Sequence, residues 1–162
     1  MADDVTQGSE RSQQLSSELA ALAAERGLSV ACAESLTAGA LASRLGAAEG
    51  SADWFRGGVV AYGREVKHGL LRVPEGPVVS ETSARAMAES TAELLEADLV
   101  VAVTGAGGPE GQDGRPPGTV WFAVTKDALT ETEEKHFPGG PPEVLAQTVQ
   151  HALGLLVRRA RA

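Results

Sequence analysis

The amino-acid sequence predicts a single-domain α/β/α sandwich, in which helices cover both faces of a mixed β-sheet. Short apolar runs of strand length alternate with amphipathic stretches along the chain. Glycine accounts for 19 of the 162 residues and aromatic residues for only 4%, which disfavours an all-β sandwich. A chain of this length can form one hydrophobic core but has little room for two domains.

The polar residues 1–11 are expected to form a disordered tail, so the folded domain is predicted to cover residues 12–162. An amphipathic helix begins the domain, because Leu15, Leu19 and Leu22 recur on one helical face. The predicted elements that follow are a strand over 28–33, a helix containing Leu41 and Leu45, a strand at 59–62, helices over 64–71 and from an N-cap at Ser80, strands over 98–103, 119–125 and 130–137, and a last helix after Pro141 and Pro142.

Two loops are predicted at the carboxyl ends of strands, where ligands bind in folds of this class. One loop contains Ser35, and the other is the glycine-rich stretch 104–118, whose bare backbone N–H groups could line a pocket. A dinucleotide-binding site is not expected, because Pro109, Pro116 and Pro117 stand where that fingerprint needs a helix.

Ser35 follows a predicted strand, where a hydroxyl can act as a helix cap, an anion contact or a nucleophile. No histidine is placed to activate it, so a Ser-His-Asp triad is not expected. Lys67 is an alternative base if burial lowers its pKa, and Tyr62 lies five residues before it, so both could point into one pocket. Taken alone, Ser35 can equally be a helix cap, Lys67 a solvated helix lysine, and Glu34 a cap or ion-pair partner.

The composition limits the classes of partner and compartment. A formal net charge of −8 argues against binding to nucleic acid, and no apolar run approaches the roughly 18–20 residues of a membrane span. The single cysteine, Cys32, excludes an internal disulfide and a multi-cysteine metal site. The polar N-terminus does not match a signal peptide, so a cytoplasmic location is expected.

Five segments occur in a characteristic order and spacing: 33–39 (AESLTAG), 57–67 (GGVVAYGREVK), 78–81 (VVSE), 103–109 (VTGAGGP) and 117–121 (PGTVW). Together they resemble the CinA C-terminal domain family over roughly residues 12–160, in the form of a stand-alone single domain. Their combination makes the resemblance specific, whereas any one of them alone would be a weak signal.

The resemblance implies an amidohydrolase of pyridine-nucleotide salvage, which converts nicotinamide mononucleotide to nicotinic acid mononucleotide and ammonia without a metal or cofactor. It places the nucleophile on Ser35 and the base on Lys67 or Tyr62. Backbone N–H groups near the start of the following helix would then hold the oxyanion. Substrate contacts are expected from Glu34, Thr37, Gly39, Thr104, Gly105, Gly107 and Gly108.

The sequence departs from the family pattern at three places. Gly63 and Arg64 replace a usual Ser-Asn pair after the tyrosine, and Pro141 and Leu145 stand where the pattern carries two arginines. The loop 104–109 reads TGAGGP in place of the usual TGIAGP. These departures keep open a second hypothesis, a non-catalytic or differently specific nucleotide-binding module of the same fold. A role in DNA uptake rests on the family's name alone, and a homodimer is a further expectation drawn from the resemblance.

Overall fold

The computed structural model of the chain describes residues 2–162 and contains five strands and six helices in that range. The strands are β1 (Val30–Glu34), β2 (Phe55–Val60), β3 (Leu99–Gly105), β4 (Thr119–Lys126) and β5 (Leu129–His136). The helices are α1 (Ala2–Arg26), α2 (Ala40–Gly46), α3 (Ser51–Trp54), α4 (Arg64–Leu71), α5 (Glu81–Leu95) and α6 (Pro141–Arg161).

The strands form one mixed sheet in the order β2-β1-β3-β4-β5. β1 pairs in parallel with both β2 and β3, whereas β4 is antiparallel to β3 and to β5. β1 and β3 are buried along their whole length, as expected of parallel strands covered on both faces. Because they are parallel neighbours, their carboxyl ends lie at the same edge of the sheet. The turn that contains Ser35 and the glycine-rich loop therefore begin side by side.

Two hydrophobic layers hold the helices against the sheet, which confirms the predicted α/β/α sandwich. Alternate residues of β3 belong to different layers. Val101 and Val103 pack with α1, α2 and α6, and Ala102 packs with α4 and α5. Within residues 2–162, no helix combines the length and the apolar character needed to cross a bilayer.

The prediction of a disordered tail over residues 1–11 is wrong for the described part of that segment, because α1 begins at Ala2. α1 packs against α6, and the Arg26 guanidinium donates a hydrogen bond of 2.7 Å to the carbonyl of Arg161. Leu15, Leu19 and Ala23 bury the later part of α1 in the core, and the polar first turns continue the helix from this packed part. Met1 lies outside the described residues.

The other element boundaries follow the sequence pattern closely, with two differences. Ser80 is the N-cap of α5 as predicted, and its hydroxyl accepts a hydrogen bond of 3.1 Å from the N–H of Ser83. The second strand begins at Phe55, not at 59, because Gly57 and Gly58 are part of β2 and not of a preceding loop. The short helix α3 was also not predicted from the sequence.

Gly58 lies where β2 packs tightly against β1 and α2. A Cβ atom at this position would be 2.9 Å from the Cys32 Sγ and 3.1 Å from the Ala42 Cβ. We expect Gly58→Ala to lower the free energy of unfolding by about 1–3 kcal/mol through overpacking, as measured by urea denaturation.

Gly69→Ala in α4 is the matched control, because a Cβ there would meet no atom within 4 Å. This substitution should raise the stability by about 0.5–1 kcal/mol, since alanine loses less backbone entropy than glycine in a helix. A loss of stability in the control equal to that of Gly58→Ala would contradict the packing argument.

Candidate active site

A cavity of about 640 Å³ opens where the carboxyl ends of β1 and β3 meet. This volume lies within the range of about 300–1,000 Å³ that is typical of small-molecule sites. Its walls come from four parts of the chain: the turn after β1, the end of β2 with α4, the glycine-rich loop after β3, and the first turn of α6. Ser35, Tyr62 and Lys67 all line it, so the cavity contains each of the three predicted catalytic residues.

Ser35 is held in a tight turn and not at the start of a helix. The N–H of Ala38 donates a hydrogen bond of 3.1 Å to the Ser35 carbonyl, and Ala38 and Gly39 both adopt positive φ angles, 49° and 103°. α2 begins only at Ala40 with Gly39 as its N-cap, so the interpretation of Ser35 as a helix cap is wrong. The Ser35 hydroxyl has no hydrogen-bond partner within residues 2–162, and its side chain lines the cavity.

Glu34, the last residue of β1, caps α2 from a distance. Its side chain is fully buried, and its two carboxylate oxygens accept hydrogen bonds of 2.9 Å from the N–H groups of Leu41 and Ala42. The Thr37 hydroxyl donates a third bond to the same carboxylate. A carboxylate here satisfies two of the free donors at the helix N-terminus, which Gly39 cannot do because it has no side chain.

Three of the predicted substrate contacts therefore lie outside the cavity lining. Glu34, Thr37 and Gly39 do not line the cavity, and the polar side chains of Glu34 and Thr37 are bonded to each other. The N–H groups of Leu41 and Ala42 at the start of α2 are also engaged by Glu34, so they are not available to an oxyanion.

Lys67 is a buried lysine at the cavity, with only 2% of its surface exposed, so the reading as a solvated helix lysine is wrong. Its Nζ donates a hydrogen bond of 3.0 Å to the carbonyl of Tyr62, two positions before the start of α4. The Tyr62 side chain is 68% exposed and lines the same cavity, as its spacing from Lys67 predicted. In the described part of the chain, no hydrogen bond joins the Lys67 Nζ to the Ser35 Oγ.

The pKa of Lys67 is lowered from the ordinary lysine value of 10.5. Burial is the largest cause, because it disfavours the charged ammonium. The nearby Arg64 cation lowers the pKa further, and the Asp113 carboxylate acts in the opposite direction. A lowered pKa makes the neutral amine accessible at a lower pH than for a solvated lysine.

The glycine-rich loop supplies backbone to the cavity wall. Gly105, Gly107 and Gly108 line the cavity as predicted, and the N–H groups of Gly107 and Gly108 donate no hydrogen bond to any other described residue. Thr104 does not line it. Its buried hydroxyl donates a hydrogen bond of 2.7 Å to the carbonyl of Val78 and so anchors the end of β3.

Asp113 links the glycine-rich loop to α4 and to the segment before α5. The sequence did not predict this role for Asp113. One carboxylate oxygen accepts a hydrogen bond of 2.7 Å from Arg64, and the other accepts bonds of 2.8 and 3.2 Å from the N–H groups of Val78 and Val79. Burial alone would raise the pKa of Asp113, but these hydrogen bonds and the Arg64 charge hold it below the ordinary value. No local signal marks the contact, because Arg64 and Asp113 lie 49 positions apart.

The fold and the cavity together define a mixed α/β protein that presents a serine, a buried lysine and a tyrosine at one sheet edge. The model of the CinA C-terminal domain matches residues 12–160, and the chain belongs to that family.

Similar proteins of known sequence or structure agree with this assignment. A competence-damage inducible protein of Lactiplantibacillus plantarum is 38% identical over 80% of this chain and 32% of its own length, and one of Lacticaseibacillus casei is 36% identical over 91% and 37%. The chain thus spans about a third of the length of these curated relatives.

Two solved structures cover nearly the whole chain. The crystal structure of a CinA superfamily protein from Klebsiella pneumoniae has a TM-score of 0.89 at 34% identity, covering 93% of this chain and 98% of that one. A superfamily protein from Escherichia coli also has a TM-score of 0.89, at 38% identity and with coverage of 91% and 90%.

We expect Glu34→Gln to destabilise the protein by about 1–3 kcal/mol, because an amide NH₂ would face a backbone donor of α2 in a fully buried place. Urea denaturation measures the change. Glu25→Gln is the control, since Glu25 is exposed on α1, and it should alter the stability by less than about 0.5 kcal/mol. An unchanged midpoint for Glu34→Gln would show that the carboxylate is not needed to cap α2.

Proposed function

We propose that this protein is an amidohydrolase that releases ammonia from the carboxamide of nicotinamide mononucleotide or of a close relative. The observation that carries the proposal is the presence of Ser35 and the buried Lys67 in one cavity, with the pKa of Lys67 lowered. A lysine with a lowered pKa can serve as the base for a serine nucleophile where no histidine is present.

In the proposed reaction, the neutral amine of Lys67 accepts the proton of the Ser35 hydroxyl, directly or through the Tyr62 phenol, while the Ser35 Oγ bonds to the amide carbon. The tetrahedral intermediate carries its charge on the former carbonyl oxygen. The free N–H groups of Gly107 and Gly108 are the best candidate donors for this oxyanion, since both residues line the cavity and these N–H groups have no other partner within residues 2–162.

The second half of the reaction reverses the proton transfer. The Lys67 ammonium gives its proton to the leaving nitrogen, the C–N bond breaks, and ammonia departs from an acyl-Ser35 ester. Water then attacks the ester with Lys67 again as base, which yields the carboxylic acid and regenerates the Ser35 hydroxyl. The hydrogen bond from the Lys67 Nζ to the Tyr62 carbonyl would hold the amine in position through both steps.

Substitution of the proposed nucleophile tests the function directly. We expect Ser35→Ala and Lys67→Met each to lower kcat for ammonia release by about 10³-fold or more, as for other enzymes that lose a nucleophile or its base. The assay follows ammonia from the mononucleotide, its nucleoside and nicotinamide, and thermal unfolding of each variant checks that it is folded. Ammonia release that survives Ser35→Ala would exclude Ser35 as the nucleophile.

A base role for Lys67 also predicts the pH profile of kcat/KM. The rate should rise with pH as the ammonium loses its proton, with a midpoint below the ordinary lysine value of 10.5. Arg64→Gln removes a cation that disfavours the ammonium, so the midpoint should move to higher pH. Asp113→Asn removes an anion that favours the ammonium, so the midpoint should move to lower pH.

Both substitutions break the same Arg64–Asp113 ion pair, so a merely structural effect would shift the two profiles in the same way. Opposite shifts therefore report the charge at Lys67. Arg72→Gln, which removes an exposed arginine paired with Glu93, is the control and should leave the midpoint unchanged. Identical profiles in all variants would exclude Lys67 as the titrating base.

A second candidate function, nucleotide binding without turnover, is favoured by one observation. No hydrogen bond joins the Ser35 Oγ and the Lys67 Nζ among the described residues, as a nucleophile and its base would form in the reactive arrangement. Calorimetric titration that finds tight binding of the mononucleotide, together with an ammonia assay that finds no release, would establish this alternative.

A further inference from the structure

The tip of the glycine-rich loop is a closed turn with a fixed backbone. The N–H of Gln112 donates a hydrogen bond of 3.0 Å to the carbonyl of Arg115, and the N–H of Arg115 donates one of 2.9 Å to the carbonyl of Gln112. Between them, Asp113 and Gly114 have positive φ angles of 53° and 76°, as in a two-residue type I′ turn. A Cβ atom at Gly111 would collide with the carbonyl oxygen of Arg115, so the two arms of the turn are in direct contact.

The loop runs from the neighbourhood of the reacting serine to the start of α4. In its first part, a Cβ atom at Gly107 would lie 3.7 Å from the Cβ of Leu36, the residue after Ser35. At its tip, Asp113 is bonded to Arg64, the first residue of α4. Side chains of the loop between these two points are therefore placed for the part of a ligand that lies beyond its reacting group.

Glu110 and Gln112 lie in this part of the loop, and both line the cavity. Neither side chain has a hydrogen-bond or ion-pair partner within residues 2–162. The other polar side chains of the lining in that range belong to Ser35, Tyr62 and Lys67, which carry the proposed chemistry. A side-chain hydrogen bond to a non-reacting part of the substrate must therefore come from Glu110 or Gln112.

We propose that Glu110 and Gln112 bind the two adjacent ribose hydroxyl groups of the substrate. A carboxylate only accepts hydrogen bonds, whereas a side-chain amide both accepts and donates them. Two neighbouring hydroxyl groups can satisfy this pair, because each hydroxyl is both a donor and an acceptor. An acidic side chain binds a ribose hydroxyl in the same way in dinucleotide-binding folds. The proposal rests on the amidohydrolase function proposed above and names the part of the substrate that these two residues recognise.

The test compares kcat/KM for ammonia release from nicotinamide mononucleotide and from its 2′,3′-dideoxy analogue. We expect the analogue to be the poorer substrate by roughly tenfold or more, because the hydrogen bonds to a charged and a neutral side chain are lost. An equal kcat/KM for the two compounds would overturn the proposal while leaving the amidohydrolase function intact.

Substitution of the two side chains shows whether they make the contact. Glu110→Ala should lower kcat/KM for the mononucleotide by roughly tenfold and Gln112→Ala by roughly fivefold, mainly through KM. Neither substitution should change kcat/KM for the dideoxy analogue, which has no hydroxyl groups to bind. An equal loss with both substrates would assign the effect to loop structure and overturn the proposal.

Glu25→Ala and Gln13→Ala are the matched controls. They make the same changes at exposed positions of α1 and should alter kcat/KM for neither substrate. If neither compound releases ammonia, the proposed function fails, and calorimetric titration with the same two compounds tests the ribose contact separately. Tighter binding of the mononucleotide that is lost in Glu110→Ala and Gln112→Ala would support the proposal. Equal binding of the two compounds, or binding of neither, would overturn it.

Discussion

The buried carboxylate of Glu34 is the interaction on which the arrangement of the site depends. It ends the interior strand β1 in a place without solvent, where an unpaired charge would be very unfavourable. Its bonds to Thr37, Leu41 and Ala42 supply the missing partners and tie the end of β1 to the start of α2. The turn between these two anchors has little freedom left, and Ser35 is its first residue. The charge that the motif places beside the serine is therefore structural, and it directs the hydroxyl to the cavity by fixing the backbone on either side.

The Arg64–Asp113 pair also holds two segments around the cavity together, and it has an additional electrostatic effect. It joins the first residue of α4 to the glycine-rich loop, and Asp113 extends the link to the N–H groups of Val78 and Val79. Lys67 lies one turn further along α4, so the same two charges that position the loop also act on its pKa in opposite directions. Removal of either charge would therefore change the attachment of the loop and also the pKa of Lys67, so these two properties are coupled.

The sequence predicted the parts of this structure that depend on local pattern and missed those that depend on distant contacts. The buried strands β1 and β3 follow from continuous apolar runs, and the side-chain cap at Ser80 follows from the preference of serine for that position. The convergence of Tyr62 and Lys67 follows from their five-residue spacing at the end of a strand. In contrast, the polar segment 2–11 shows no helical pattern of its own, and it is helical as the extension of α1, whose later residues pack against α6 at the other end of the chain. The role of Asp113 likewise depends on distant contacts, because its partners Arg64, Val78 and Val79 are distant in the sequence. For Glu34 the sequence left the cap and the substrate contact both open, because the residue type suits either role, and the structure shows the cap.

The distribution of charge around the cavity bears on the protonation state of Lys67. Among residues 2–162, Lys67 is the one cation that lines the cavity, and the acidic side chain of Glu110 lines it as well. An anionic group bound beside the Lys67 Nζ would stabilise the ammonium form and raise the pKa of the lysine, which opposes the effect of burial and of Arg64. A ligand that keeps its anionic groups away from the Nζ would leave the lowered pKa undisturbed. The protonation state of Lys67 thus depends on where a ligand places its charge as well as on the Arg64–Asp113 pair.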